Sequence, residues 1–76
     1  MPSPPAMSGR KAVRVFEYFG WQVVRQRGSH IIMVKEGHIA TLSIPDHKEV
    51  AKGTLRGLIR SANLTVAEFI SASKKV

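Results

Sequence analysis

Apolar residues recur at helical spacing in two stretches of this chain and at strand spacing between them. Ala12, Val15, Phe16 and Phe19 follow i, i+3, i+4, i+7, which is one face of an α-helix. Ser8 stands where an N-cap belongs and Gly20 where a left-handed C-cap belongs, so the pattern predicts a helix over 9–19. Leu55, Leu58, Ile59 and Ala62 repeat the spacing and predict a second helix over 53–62, which Asn63 can end in the left-handed conformation. Thr65-Val66-Ala67-Glu68 is a capping box and starts a third, shorter helix whose Phe69 and Ile70 dock on the core.

Between the first two helices lie three segments rich in aromatic and β-branched residues, 21–26, 30–35 and 38–44, separated at Gly28 and Gly37. Connections this short demand antiparallel pairing, because parallel strands need a long crossover. Pro45 ends the third strand by removing a ladder donor. The predicted order is α-β-β-β-α(-α). This is an α+β fold, a three-stranded antiparallel meander with its helices on one face. The opening MPSPPA carries three prolines in six residues and predicts a disordered leader over 1–7, ahead of a single domain over 8–76.

A two-residue turn at Glu36-Gly37 would place Lys35 opposite His38 and His30 opposite Ser43. Both faces of the sheet are then apolar. Trp21, Val23, Ile32, Val34 and Ile39 share one, and Val24, Ile31, Met33, Ala40, Leu42 and Ile44 share the other. A few short helices cover one face well. The other is either closed by the third helix or the leader, or left as an apolar patch of the kind that marks a protein interface. The pattern does not decide which face is the core.

Composition narrows the function. In 76 residues, 12 Lys+Arg oppose 5 Asp+Glu, a formal net charge of +7, and 43% of residues are apolar. The length excludes a two-domain enzyme and any cleft between domains. No apolar run approaches the ~18 residues of a membrane span, and no apolar N-terminal stretch resembles a secretion signal. Cysteine is absent, so there is no disulfide framework, thiol nucleophile or thiolate metal site. These features favour a cytoplasmic protein. The positive charge is spread through the folded segments, which suits a basic surface that attracts a polyanion, with nucleic acid ahead of an acidic protein.

Candidate chemistry gathers at one end of the sheet. The pairing above puts His38 five residues from His30 along the strand, roughly 17 Å away, so a site using all three histidines fails. His30, His47 and Asp46 lack a standard metal-ligand spacing, and no metal or other cofactor is expected. His30 and His47 instead converge beside Arg27 and the Gly28-Ser29 turn. Gly28 permits close backbone approach, and Ser29 offers a hydroxyl and an N–H. The next loop brings Lys48 and Lys52, and the helix start at Gly53-Thr54 offers unpaired N–H groups to an anion. Imidazoles in a phosphate-binding corner suit RNA transesterification, in which a base takes the 2′-hydroxyl proton and an acid protonates the leaving oxygen. Taken alone, His30 also reads as an ordinary strand residue and His47 as a loop cap.

Gly20-Trp21, Arg25-Gln26-Arg27-Gly28-Ser29-His30, Ile44-Pro45-Asp46-His47-Lys48 and Lys52-Gly53-Thr54-Leu55, in this order, resemble the HicA family of toxin endoribonucleases over about 9–70. The resemblance implies a double-stranded-RNA-binding-domain-like fold, cleavage of messenger RNA that halts translation, and a HicB-type antitoxin that covers the site. It implies a chain that is monomeric when free and hetero-oligomeric with its antitoxin. The family's catalytic histidine falls on His30, its Pro-x-His element on Pro45 to His47, and its Gly-Thr-Leu element on Gly53 to Leu55. Arg27, Gly28, Ser29, His47, Lys48, Lys52, Gly53 and Thr54 are then expected to hold RNA, and Ile31, Met33 and Leu42 to face the antitoxin. Two other readings stay open: a non-catalytic RNA-binding module of the same fold, and a protein-interaction domain using the uncovered sheet face.

Overall fold

The computed structural model describes residues 4–76, so the first three residues of the expected leader lie outside the described residues. The elements run α1 (Gly9–Tyr18), β1 (Gln22–Arg27), β2 (His30–Val34), β3 (Leu42–Pro45), α2 (Lys52–Ser61) and α3 (Val66–Ser73). The strands form one antiparallel sheet in the order β1-β2-β3. Helix ends follow their sequence signals. The Ser8 hydroxyl accepts from Lys11 N–H at 3.1 Å, and Gly20 turns the chain out of α1 with φ +96°. Asn63, with φ 62°, closes α2. Thr65 and Glu68 make both bonds of the capping box at the start of α3.

One sheet face is the core. Ile31, Met33, Leu42 and Ile44 pack in a single cluster with Val15 and Phe16 of α1, Leu55 and Ile59 of α2, and Phe69 of α3. The Phe16 and Phe69 rings meet at 5.0 Å between centroids. This corrects the assignment of Ile31, Met33 and Leu42 to an antitoxin surface. They are 7%, 0% and 0% exposed, because all three helices lie on the face they occupy. Ile32 lies on the other, helix-free face, between Arg25 and Ser43 across the strands.

Two registers differ from the simple pairing. The β1–β2 ladder runs Arg27↔His30, Gln26↔Ile31, Arg25↔Ile32 and then Val23↔Met33, so Val24 is the extra residue of a β-bulge. The bulge turns Val23 toward the face of Met33 and leaves Val23 and Val24 about half exposed (45% and 50%) on an edge strand. In β2–β3, His30 pairs with Pro45 rather than Ser43. The turn at Glu36-Gly37 forms as expected, closed by the His38 N–H on the Lys35 carbonyl at 3.1 Å, but the ladder resumes only at Leu42. The reason is His38. Its ring packs on buried Trp21 at 4.9 Å, and its Nδ1 accepts the Ala40 N–H that a continuing strand would have used. His38 is therefore partly buried. The shift is two residues, an even number, so every β3 side chain keeps its face.

The leader boundary also moves. Pro4 and Met7 are buried, Met7 belongs to the core cluster with Val50, and its carbonyl accepts from Val50 N–H at 2.9 Å. The packed body begins before the boundary expected at residue 8.

Candidate functional site

His30 is the first residue of the central strand, exposed, with Arg27 as its partner on β1 and Pro45 on β3. Strand alternation places it opposite to core residue Ile31, on the helix-free face. Directly paired residues share a face, so Arg27 flanks His30 across the strands, and Arg25 follows Arg27 one repeat along β1. Gly28 makes the connection possible. The Gly28-Ser29 turn joins two adjacent strands and needs a residue at φ +56°, where side chains are disfavoured.

Three separate segments are locked together around this turn. The Asp46 N–H donates to the Ser29 carbonyl at 2.7 Å, which extends the β2–β3 pairing one step past His30. The Asp46 carboxylate receives Arg10 from α1 through both guanidinium Nε and Nη2, each at 3.3 Å. Gln26 Nε2 bridges the Gly28 carbonyl at 3.2 Å and Asp46 Oδ2 at 3.4 Å. The Gly9 N–H, at the start of α1, donates to the His47 carbonyl at 2.9 Å. Gly9 lies so close to this loop that an added Cβ would overlap the Pro45 carbonyl oxygen, at 1.9 Å. The start of α1, the β1–β2 turn and the exit from β3 thus form one corner, with His30 and Arg27 on its helix-free side.

The structure places Arg27, Gly28, Ser29, His30 and Pro45 side by side, while His47 is tied through its carbonyl to the Gly9 N–H at the start of α1. Lys48, Lys52, Gly53 and Thr54 are all exposed, but no hydrogen bond or ion pair among the described residues joins them to the hairpin. They follow His47 along the chain into α2, whose N-cap Ala51 supplies no side-chain hydrogen bond. The first-turn N–H groups are therefore left to solvent or a ligand. Among the described residues no three His, Asp or Glu side chains gather closely enough to hold a metal ion, and no helix is long and apolar enough to cross a membrane.

Sequence reasoning missed the residues that hold the corner: Gly9, Arg10, Gln26 and the positioning part of Asp46. Arg10 and Asp46 are 36 residues apart, and no local pattern links them. Arg25 was visible in the Arg25-Gln26-Arg27 run. Period-two alternation puts it on the face of Arg27, which is the signal that could have found it.

Residues 9–64 match the family model described as the HicA toxin of bacterial toxin–antitoxin systems. A solved structure of a toxin–antitoxin complex from Streptococcus pneumoniae contains a chain that superposes with a TM-score of 0.69 at 36% identity, covering 76% of the present chain and 98% of that one. No curated protein matches the chain.

Proposed function

We propose that this chain, which belongs to the HicA toxin family, is an endoribonuclease that cleaves messenger RNA with His30 as proton-transfer catalyst and is neutralised by a HicB-type antitoxin. The observation that carries the reading is the placement of His30. It is an exposed imidazole at a sheet corner, paired with Arg27, beside a glycine turn that leaves room for a phosphate. In the proposed step the substrate supplies its own nucleophile. The 2′-oxygen forms a bond to the adjacent phosphorus as its proton passes to a base. The bond from phosphorus to the 5′-oxygen breaks, and that oxygen takes a proton from an acid. The products are a 2′,3′-cyclic phosphate and a free 5′-hydroxyl. His30 serves one or both transfers, because an imidazole nitrogen can accept a proton and, once protonated, donate it. Arg27 and the unpaired N–H groups of the α2 start would offset the growing phosphoryl charge. Lys48 and Lys52 would hold the flanking backbone. An exposed corner suffices for this chemistry, since no water has to be activated in a deep cleft.

The end groups of the products test the reading. RNA incubated with the protein in excess chelator is expected to yield cyclic phosphate and 5′-hydroxyl ends. Ends carrying 5′-phosphate and 3′-hydroxyl, or intact RNA bound to the protein, would defeat it, and the second result would favour the non-catalytic RNA-binding module.

Asp46 is a positioning residue in this scheme. Asp46→Asn is expected to lower the melting temperature by only a few degrees, because exposed ion pairs contribute about 0.2–1 kcal/mol. Cleavage should fall several-fold through kcat, as the segment carrying Pro45 and His47 loses its register against Ser29. Unchanged cleavage would mean that the two backbone bonds, from Asp46 and from Gly9, hold the corner without the carboxylate.

A further inference from the structure

Helix α2 carries Lys52, Arg56 and Arg60 at i, i+4 and i+8, and no acidic residue. At 100° per residue the three drift by about 40° a step and fall within a sector of about 80°, and at 1.5 Å rise they stand about 6 Å apart along the axis. All three are exposed, and none is in an ion pair among the described residues. Beside this ridge runs a second stripe, Gly53, Gly57 and Ser61, also at i, i+4 and i+8 and also exposed. The fold has no steric need for these glycines: a Cβ added at Gly53 or Gly57 would meet nothing within 4 Å. Neither has positive φ. Two helix glycines that weaken the helix relative to alanine, with no turn and no packing contact to require them, leave one purpose open to them, close approach from outside.

We infer that the outer face of α2 is an RNA-backbone track, in which Arg56 and Arg60 continue the line of Lys52 away from the His30 corner and the Gly53–Gly57 lane lets the sugar–phosphate chain lie close to the helix. This rests on the proposed ribonuclease activity and extends it, since it assigns a subsite to RNA beyond the cleaved bond. The cation spacing is close to that of successive phosphates on one strand. The partner is a polyanion because the ridge offers three cations and no carboxylate. The uncapped N-terminus of α2 adds its own positive potential at the Lys52 end.

The test compares variants in a His30→Ala background, where RNA stays intact, by titrating a uridine homopolymer long enough to span α2. Arg56→Gln with Arg60→Gln is expected to weaken binding roughly tenfold and to reduce the log–log salt slope by about 1.4, at ~0.7 per single-strand phosphate lost. Lys74→Gln with Lys75→Gln removes the same charge elsewhere and should change both far less. Gly57→Gln is the sharper variant. It should raise the melting temperature, because glutamine is the better helix former at a position with open space, and yet weaken RNA binding. With active protein, the same α2 changes should raise KM on the long RNA and leave cleavage of a dinucleotide unchanged. Equal losses in the two double variants would overturn the track while leaving the His30 chemistry intact. So would normal RNA binding by the α2 variants together with loss of neutralisation by a co-expressed antitoxin, which would give this face to the protein partner. Failure of the His30→Ala protein to bind any RNA would overturn both readings.

Discussion

His30→Ala is expected to abolish RNA cleavage, with a loss of about 10²–10⁴-fold, the usual contribution of a positioned general acid or base. Growth arrest on expression should disappear with it. The fold should survive, because His30 is exposed and its side chain makes no hydrogen bond among the described residues, and surface substitutions of this kind stay within about 0.5 kcal/mol. The variant should keep its affinity for RNA, since Arg27, Lys48 and Lys52 remain. His47→Ala is the informative companion. The hydrogen bond recorded for His47 uses its backbone carbonyl, which accepts from Gly9, and truncating the side chain leaves that bond in place. Its loss should therefore be well below that of His30→Ala. Cleavage assays in excess chelator, alongside melting curves, separate the outcomes. Equal rates for the parent and the His30 variant would remove His30 from the chemistry, and a larger loss at His47 would transfer the main role to that residue.

Gly9→Ala should destabilise the protein by about 1–3 kcal/mol, the range for forced overpacking, and lower its melting temperature by roughly 5–20 °C. Elsewhere in a helix the same change stabilises, since alanine is the better helix former by about 1 kcal/mol. The sign reverses here because the new methyl would lie 1.9 Å from the Pro45 carbonyl oxygen and 3.2 Å from the Asp46 Cα. These are backbone atoms, and they cannot swing aside as a long side chain can. Relief requires α1 to move off the β3 exit. That movement would break the bond from Gly9 N–H to the His47 carbonyl and strain the Arg10 pair with Asp46. Cleavage should fall together with stability, since the displaced segment pairs with His30. A Gly9→Ala protein with the parent's melting temperature and activity would show that the contact between α1 and this loop relaxes freely.

The belonging of residues 9–64 to a toxin family and the likeness to a chain of a toxin–antitoxin complex support an antitoxin partner. The Ile31–Met33–Leu42 face is closed to such a partner, because the helices already cover it.

Much was legible in the chain itself because its signals are local. The apolar spacing of Ala12 to Phe19 and of Leu55 to Ala62, the caps at Ser8 and Thr65, and the left-handed positions at Gly20 and Asn63 each depend on a few neighbouring residues. Each forms as expected. The short connections forced an antiparallel meander, and the sheet has that order. His30 stood out as a candidate because Gly28-Ser29-His30 joins a turn, a hydroxyl and an imidazole in three residues, and because the family resemblance falls on it.

The rest depended on contacts between distant parts of the chain. Either face of the sheet could have been the core by hydrophobicity alone, and only the docking of three helices assigned that role to Ile31, Met33, Leu42 and Ile44. The bulge at Val24 and the two-residue register shift at β3 arise where strand pairing yields to packing, as His38 turns onto Trp21. The candidate corner itself is held by Gly9, Arg10 and Gln26 acting on Asp46 and His47 from other elements. A sequence determines local conformation through neighbours three or four residues apart. Which faces meet, and which loop a helix end pins, is set by close packing and by hydrogen bonds across tens of residues, and these exist only once the chain has folded.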